Sequence, residues 1–323
     1  MTNSTPSTTF IRDLYARMLL TRIVDDCAWR LHEQGYIDFV ASCRGHEAAQ
    51  VGSAVCIEVG KDFTLPYYRD LGVVLTIGMT PYEVFRTYLQ MHIPQTATDA
   101  DQELHPARRG EPVLHWGYHK RNTVTGPAPV ATQILHAAGI AFASKLRKAP
   151  IVTIAYCGDG ATSEPDFLEG IRFASLQQLP VLFICEQNCQ TDADIPSSSS
   201  CLKDLPLPEG LTHQRIDGND VMAVYMATRS AMEHAREGRG PVLLEMYVTR
   251  SRAGSQAYYL SSTLGRNDPL SRCQQFLQEQ DMWDDEWAKK LYTRISAEVE
   301  QAMQDAMRDT QPPFSRRGDR AQP

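Results

Sequence analysis

From Ile151 to Cys157 the chain is an almost unbroken apolar run of strand length, rich in β-branched residues, and Val181 to Cys185 repeats the pattern. Strands without polar alternation are the kind covered on both faces of a parallel sheet. Between them Phe167, Ile171, Ala174 and Leu179 recur at helical spacing from Asp166 to Gln178, with Pro165 suited to the first turn and Pro180 stopping the helix. This is a βαβ unit. Its right-handed crossover opens the carboxyl ends of both strands on one edge of the sheet, where α/β proteins bind ligands.

The remaining pattern extends the same architecture. A helix is expected from about Phe10 to Gln34, with Leu14, Met18, Leu19, Ile23 and Cys27 as its apolar face, after a frayed Ser/Thr-rich start over Met1 to Thr9. Arg44 to Ile57 reads as a loop entering a second helix, and Ile134 to Lys148 as an Ala-rich helix. Arg215 to Asp217 is a short strand, Asn219 or Asp220 caps a helix to about Glu237, and Pro241 to Val248 is another buried strand. Thr96 to Arg121 and Pro196 to Gly210 are Pro-broken polar loops. The tail over Pro269 to Met307 is helical, packing through Phe276, Leu277, Trp283, Trp287, Leu291 and Ile295, and disorder is expected beyond it. The reading is therefore α/β, a mostly parallel sheet with helices on both faces in a domain over 1–268, a helical extension over 269–308, and a disordered 309–323.

Composition narrows the class. A chain of 323 residues has ample core for such a sheet. The formal charge of -7, with no basic stripe carrying aromatics, argues against a nucleic-acid surface. No apolar run is long enough for a bilayer, so a cytoplasmic enzyme is expected. The eight cysteines are scattered without a CxxC pair, which favours reduced core thiols over zinc or disulfides.

Candidate chemistry lies where the βαβ unit opens. Asp159 leaves the first strand and Asn188 the second. Their oxygens, with a main-chain carbonyl near Gln190, suit magnesium, which takes few protein ligands and completes its shell with phosphate oxygens and water. Gly158 and Gly160 let the backbone approach phosphates closely. The competing reading is a dinucleotide fold, with Gly158, Gly160 and Ser163 as a degenerate GxGxxG and Glu186 as the ribose-binding acid. A carboxylate between the two glycines would repel a pyrophosphate unless a metal lay between them. Elsewhere His46 and Glu47 read alone as helix-start residues, Arg69 beside Asp70 as a surface ion pair, and His115 as a satisfied polar residue.

Gly158-Asp159-Gly160 followed by Asn188 resembles the thiamine-diphosphate motif. GDGATSE with the PVLFIC strand, and RIDGNDVMAVY further on, resemble the alpha subunit of 2-oxoacid dehydrogenases of the branched-chain, pyruvate or acetoin type. The resemblance implies a thiamine-diphosphate-binding fold. It places Tyr68 and Arg69 of a Tyr-Arg-Asp-x-Gly motif, together with Gly158, Asp159, Gly160 and Ala161, at the cofactor, where arginine's planar fork suits phosphate. The resemblance also implies that Val130 sets its backbone against the aminopyrimidine ring, that Asp159, Asn188 and Gln190 hold magnesium, that His115 lines the substrate pocket, and that Thr132 and Gln133 match a potassium site, with Ala128 in place of the family's serine. Arg44 to Ile57 resembles a Gly-Gln/His-Glu-Ala segment of the family.

The match weakens after Arg250, which fits a cofactor-binding arginine. Ala253 and Gly254 stand where the family carries loop histidines, and Gln187 replaces one asparagine of a pair. The resemblance implies a beta subunit supplying a glutamate to the cofactor, an α2β2 assembly, a lipoyl acyltransferase as a further partner, and decarboxylation of a 2-oxoacid with transfer of its acyl group. Carboligation or non-oxidative decarboxylation on the same cofactor is one alternative, given the missing histidines. A non-catalytic partner subunit is another.

Overall fold

In the computed structural model, which describes residues 6–37, 39–90, 116–126, 129–189, 202–249 and 265–310, the doubly covered strands predicted from the apolar runs lie at the centre of one sheet. Strands β1 (Phe63–Leu65), β2 (Thr153–Gly158), β3 (Val181–Cys189), β4 (Thr212–Asp217) and β5 (Val242–Thr249) follow the order β1-β2-β3-β5-β4. Each neighbouring pair is parallel. β3 outruns its apolar segment because Glu186, Gln187 and Asn188 stay in register with Met246, Tyr247 and Val248 of β5. The helices are α1 (Thr8–Glu33), α2 (Glu47–Ala54), α3 (Leu71–Thr76), α4 (Pro81–Gln90), α5 (Thr132–Leu146), α6 (Pro165–Leu176), α7 (Val221–Arg236), α8 (Pro269–Glu279) and α9 (Asp285–Thr310).

Alternate residues of the strands feed two cores, as the pleat requires. Ile154, Tyr156, Leu182, Ile184, Leu244 and Met246 pack with Ala49 and Ala54 of α2 and Val224, Ala231 and Ala235 of α7. Ala155, Cys157, Phe183, Cys185 and Leu243 pack with Ile134, Ala137 and Ala141 of α5 and Phe167, Ile171 and Ala174 of α6. The predicted apolar face of α6 is thus fully buried. Its Gly170 lets α5 approach, since a Cβ there would come within 2.9 Å of the Ile134 side chain. Asp220, not Asn219, caps α7, accepting from the amides of Met222 and Ala223.

A third core joins the two ends of the chain: Leu14, Met18 and Leu31 of α1 with Phe85 of α4, Leu277 of α8, and Ile295 and Val299 of α9. The single helical tail is in fact two helices, broken where Asp281 takes a left-handed conformation at φ 54°, which favours a helix end over continuation. Trp283 sits edge-on to Tyr15 at 5.2 Å and to Trp287 at 5.6 Å, the packing role expected of the pair. Two ends differ from expectation. α1 starts at Thr8 because Ser7 Oγ accepts from the Phe10 amide at 3.2 Å, and α9 runs to Thr310, past Arg308. Among the described residues no helix is long and apolar enough to cross a membrane.

One ion cluster pins the helical layer to the sheet layer. Arg22 of α1 donates through Nε to Glu47 at the start of α2, and through Nη2 to Asp268 Oδ1 at 2.8 Å. Asp268 in turn caps α8 through the Ser271 amide at 3.1 Å. Burial alone would raise the Asp268 carboxyl, but the Arg22 charge and the bonds from Arg22 and Ser271 outweigh it and hold it below the usual range. A carboxyl depressed in the folded state stabilises above its unfolded value, and that contribution fades as pH falls through the folded one. Asp268→Asn should therefore cost about 1–3 kcal/mol at neutral pH. In urea unfolding across a pH series, the gap from the parent should close below about pH 4. A gap that is constant with pH would count against the ionic role.

Candidate active site at the carboxyl edge of the sheet

Gly158 of β2 lies opposite Glu186 of β3, so the turn that leaves β2 meets the last residues of β3. Asp159 opens a tight turn over Asp159–Ser163, and its Oδ1 accepts from Asn188 Nδ2 at 2.9 Å. The predicted crossover has thus brought these two side chains together. They border a cavity of about 230 Å³. Tyr68, Arg69, Val130, Gly158, Asp159, Gly160, Ala161 and Asn188, all the expected cofactor residues among the described ones, line it. His115, Gln190 and Arg250 fall outside the described residues, as do Ala128, Ala253 and Gly254.

Among the described residues, nothing in the packing requires the two glycines. A Cβ on Gly160 would meet nothing within 4 Å, and one on Gly158 would reach only the Tyr67 ring, at 3.7 Å. Bare backbone at this wall leaves room beside the described residues for a bound group. Val130 is 48% exposed and Tyr68 37%, so both keep free surface beside the cavity. Thr132 Oγ1 donates to Asp166 at 3.1 Å and Gln133 Nε2 to the Tyr156 carbonyl at 3.0 Å.

Arg69 is not the surface ion pair that its neighbour Asp70 suggested. It is 7% exposed, its Nη1 donates to the Ser42 carbonyl at 2.6 Å, and its guanidinium lies 5.2 Å from the centre of the Tyr68 ring. Burial works against its charge, but Tyr67, Tyr68 and Glu186 outweigh that and hold it protonated. Asp70 points inward, taking the Tyr67 amide at 2.7 Å. Burial first, then the Glu186 charge, push its carboxyl well up.

Behind the cavity lies a layer that residue-by-residue reading missed. Glu186 is fully buried. Its Oε2 accepts from the Tyr67 hydroxyl at 2.7 Å and Gln50 Nε2 at 3.3 Å, and lies 2.7 Å from His46 Nδ1. The other His46 nitrogen is 3.0 Å from Asn188 Oδ1. Because the whole Glu186 side chain is buried, it is unavailable to a ribose, which removes the acid that the dinucleotide reading needed. His46 and Glu47 are likewise not solvated helix-start residues, since both are fully buried. A signal was present: a carboxylate within a doubly covered strand must find partners, and Glu186 follows directly on an apolar run.

The profile of the Dehydrogenase E1 component family matches residues 15–315. The chain belongs to this family. It is 37% identical over 306 residues to the 2-oxoisovalerate dehydrogenase subunit alpha of Bacillus subtilis (strain 168), covering 91% of this chain and 89% of that one. Against the mitochondrial 2-oxoisovalerate dehydrogenase subunit alpha 1 of Arabidopsis thaliana it is 31% identical, across 91% of this chain and 62% of the relative. Against the pyruvate dehydrogenase E1 component subunit alpha of Bacillus subtilis (strain 168) it is 28% identical, across 92% and 77%. This E1 chain is therefore a dehydrogenase component, and the α/β reading and the resemblance both hold.

In the E1 chain, burial and then the Glu186 charge push the Tyr67 phenol well up, so it remains a donor. Tyr67→Phe should destabilise the fold by about 1–3 kcal/mol, because a buried carboxylate loses a charge-assisted bond. Urea midpoints would show it, and an unchanged midpoint would mean that water or another donor replaces the hydroxyl.

Proposed function

We propose that this E1 chain is the alpha subunit of a thiamine-diphosphate-dependent enzyme that decarboxylates a small 2-oxoacid and passes on its acyl group. One observation carries the reading: a single cavity gathers Asp159, Asn188, Arg69 and two glycines that packing among the described residues does not require. The donor set fits the cofactor. Asp159 and Asn188 offer hard oxygens for magnesium, with the Gln190 carbonyl as a third ligand. Arg69 offers a permanently charged, planar donor to a diphosphate. Bound thiamine diphosphate supplies the carbanion-stabilising centre that decarboxylation requires.

The chain's own residues bind and orient. Tyr68 and Arg69 hold the diphosphate end, with Gly160 and Ala161 beside it, and Val130 supports the ring end with its backbone. Arg250 joins the cofactor contacts and His115 the substrate pocket. A potassium ion at Thr132 and Gln133 would have one hydroxyl fewer, because Ala128 stands where the family carries serine, while the Thr132 hydroxyl and the Gln133 carboxamide oxygen keep lone pairs for it.

The names of the relatives, each a subunit alpha, support a beta subunit as partner, and the exposed Val130 and Tyr68 would let it close the cavity. An α2β2 assembly, a lipoyl acyltransferase as acceptor, a cytoplasmic setting and a division into a cofactor domain over 1–268 with a helical extension over 269–308 complete the proposal. Among the described residues Cys27, Cys43, Cys157, Cys185 and Cys273 are buried free thiols and Cys56 is a half-buried one, which suits a reducing compartment.

Labelled 2-oxoacids fed to the chain reconstituted with its beta subunit should yield acyl-dihydrolipoamide. An acyloin or aldehyde would point to carboligation or simple decarboxylation, and no product to a non-catalytic subunit. Binding gives a simpler check. By calorimetry, thiamine diphosphate should need magnesium to bind, and Asp159→Ala should abolish that magnesium-dependent binding. Arg69→Lys should weaken binding by roughly tenfold or more through loss of the bidentate fork. Intact magnesium-dependent binding in Asp159→Ala would remove the metal assignment.

A further inference from the structure

The Asn188 carboxamide, as placed, turns its amino group to Asp159 Oδ1 at 2.9 Å and its oxygen to His46 Nε2 at 3.0 Å. A cation shared by Asp159 and Asn188 needs the opposite arrangement, because only the carboxamide oxygen can ligate a hard metal. A half-turn about the last side-chain bond exchanges the two ends with almost no change of shape. The amino group then faces His46 Nε2, and this arrangement holds only if that nitrogen is an acceptor.

A neutral His46 accepts at Nε2 when its one proton is on Nδ1, and the far side of the ring favours that tautomer. Glu186 Oε2, 2.7 Å from Nδ1, is an acceptor and calls for an N–H there. Glu186 is itself held by Tyr67 and Gln50, and both His46 and Glu186 are fully buried, so neither can turn to solvent instead. We propose that His46, anchored by Glu186, is a positioning residue that turns the oxygen of Asn188 toward the cation. It does not touch the cation. The inference rests on the reading of Asp159 and Asn188 as metal ligands, and goes beyond it by giving the buried Glu186–His46 pair a task.

A double-mutant cycle on the full chain with its beta subunit, in saturating thiamine diphosphate, tests this, with Mn²⁺ as the probe and free Mn²⁺ read by electron paramagnetic resonance. His46→Phe should weaken Mn²⁺ binding about 10–100-fold, the usual cost of removing a partner behind a metal ligand. His46→Gln should stay within about threefold, because a carboxamide still offers a donor to Glu186 and an acceptor to Asn188. In the Asn188→Asp background both ligand oxygens are equivalent and orientation ceases to matter, so the penalty of His46→Phe should largely vanish. A merely structural role would give the same penalty in both backgrounds, and that result overturns the proposal, as does unchanged affinity in His46→Phe. If His46→Phe does not fold, His46→Leu takes its place in the cycle. Asp159→Ala is the separate control: Mn²⁺ binding at parental strength there overturns the metal reading itself, whatever His46 does.

Discussion

A carboxylate removed from water must be given donors by its own chain, and the arrangement around the site follows from how Glu186 obtains them. Its partners come from two places: His46 and Gln50 at the start of α2, and Tyr67 in the segment after β1. Meeting that demand fixes β3, α2 and the β1 segment relative to one another before any ligand arrives. The residues that line the cavity are close neighbours of those anchors. Asn188 follows Glu186 on the strand, and Tyr68 and Arg69 follow Tyr67. Preorganisation here is a by-product of satisfying a buried charge.

The segment after β1 shows how short-range alternation divides the work. Tyr67 and Asp70 turn into the interior, where Asp70 takes the Tyr67 amide. Tyr68 keeps a face free, with its carbonyl held by Trp116 Nε1 at 3.1 Å. Arg69 is threaded between them and secured on the Ser42 carbonyl. Gln50 ties the same turn to α2, donating to the Arg69 carbonyl at 3.1 Å and accepting from the Gly72 amide at 2.9 Å. An arginine so constrained loses little further freedom when it meets an anion.

Much of this was legible in the chain before its coordinates. The βαβ unit could be read because both of its strands are covered on two faces, which leaves long apolar runs. The Asp159–Asn188 pairing then followed from the handedness of the crossover. Tyr68, Arg69 and Val130 came through motif resemblance, since nothing in their periodicity marks them. β1, with three residues, and α3, with six, are too short for any period to show. The roles of His46 and Glu186 were hidden for another reason. They lie 140 residues apart, and a buried pair of this kind has no local pattern. Arg22, Glu47 and Asp268 were concealed in the same way, because each reads alone as an ordinary surface charge.

His46 and Glu47 are consecutive, yet they serve opposite sides of the molecule. The first faces β3 and the cavity edge, while the second is held by Arg22 and by the Gly45 amide at 2.8 Å. Each residue along a helix turns by about 100°, so adding or deleting one residue ahead of α2 would swing both side chains away from their partners together. The loop over 44–46 therefore has a fixed length as well as a fixed composition. Insertions that most surface loops absorb would here detach the helical layer and unseat the Asn188 support in a single step.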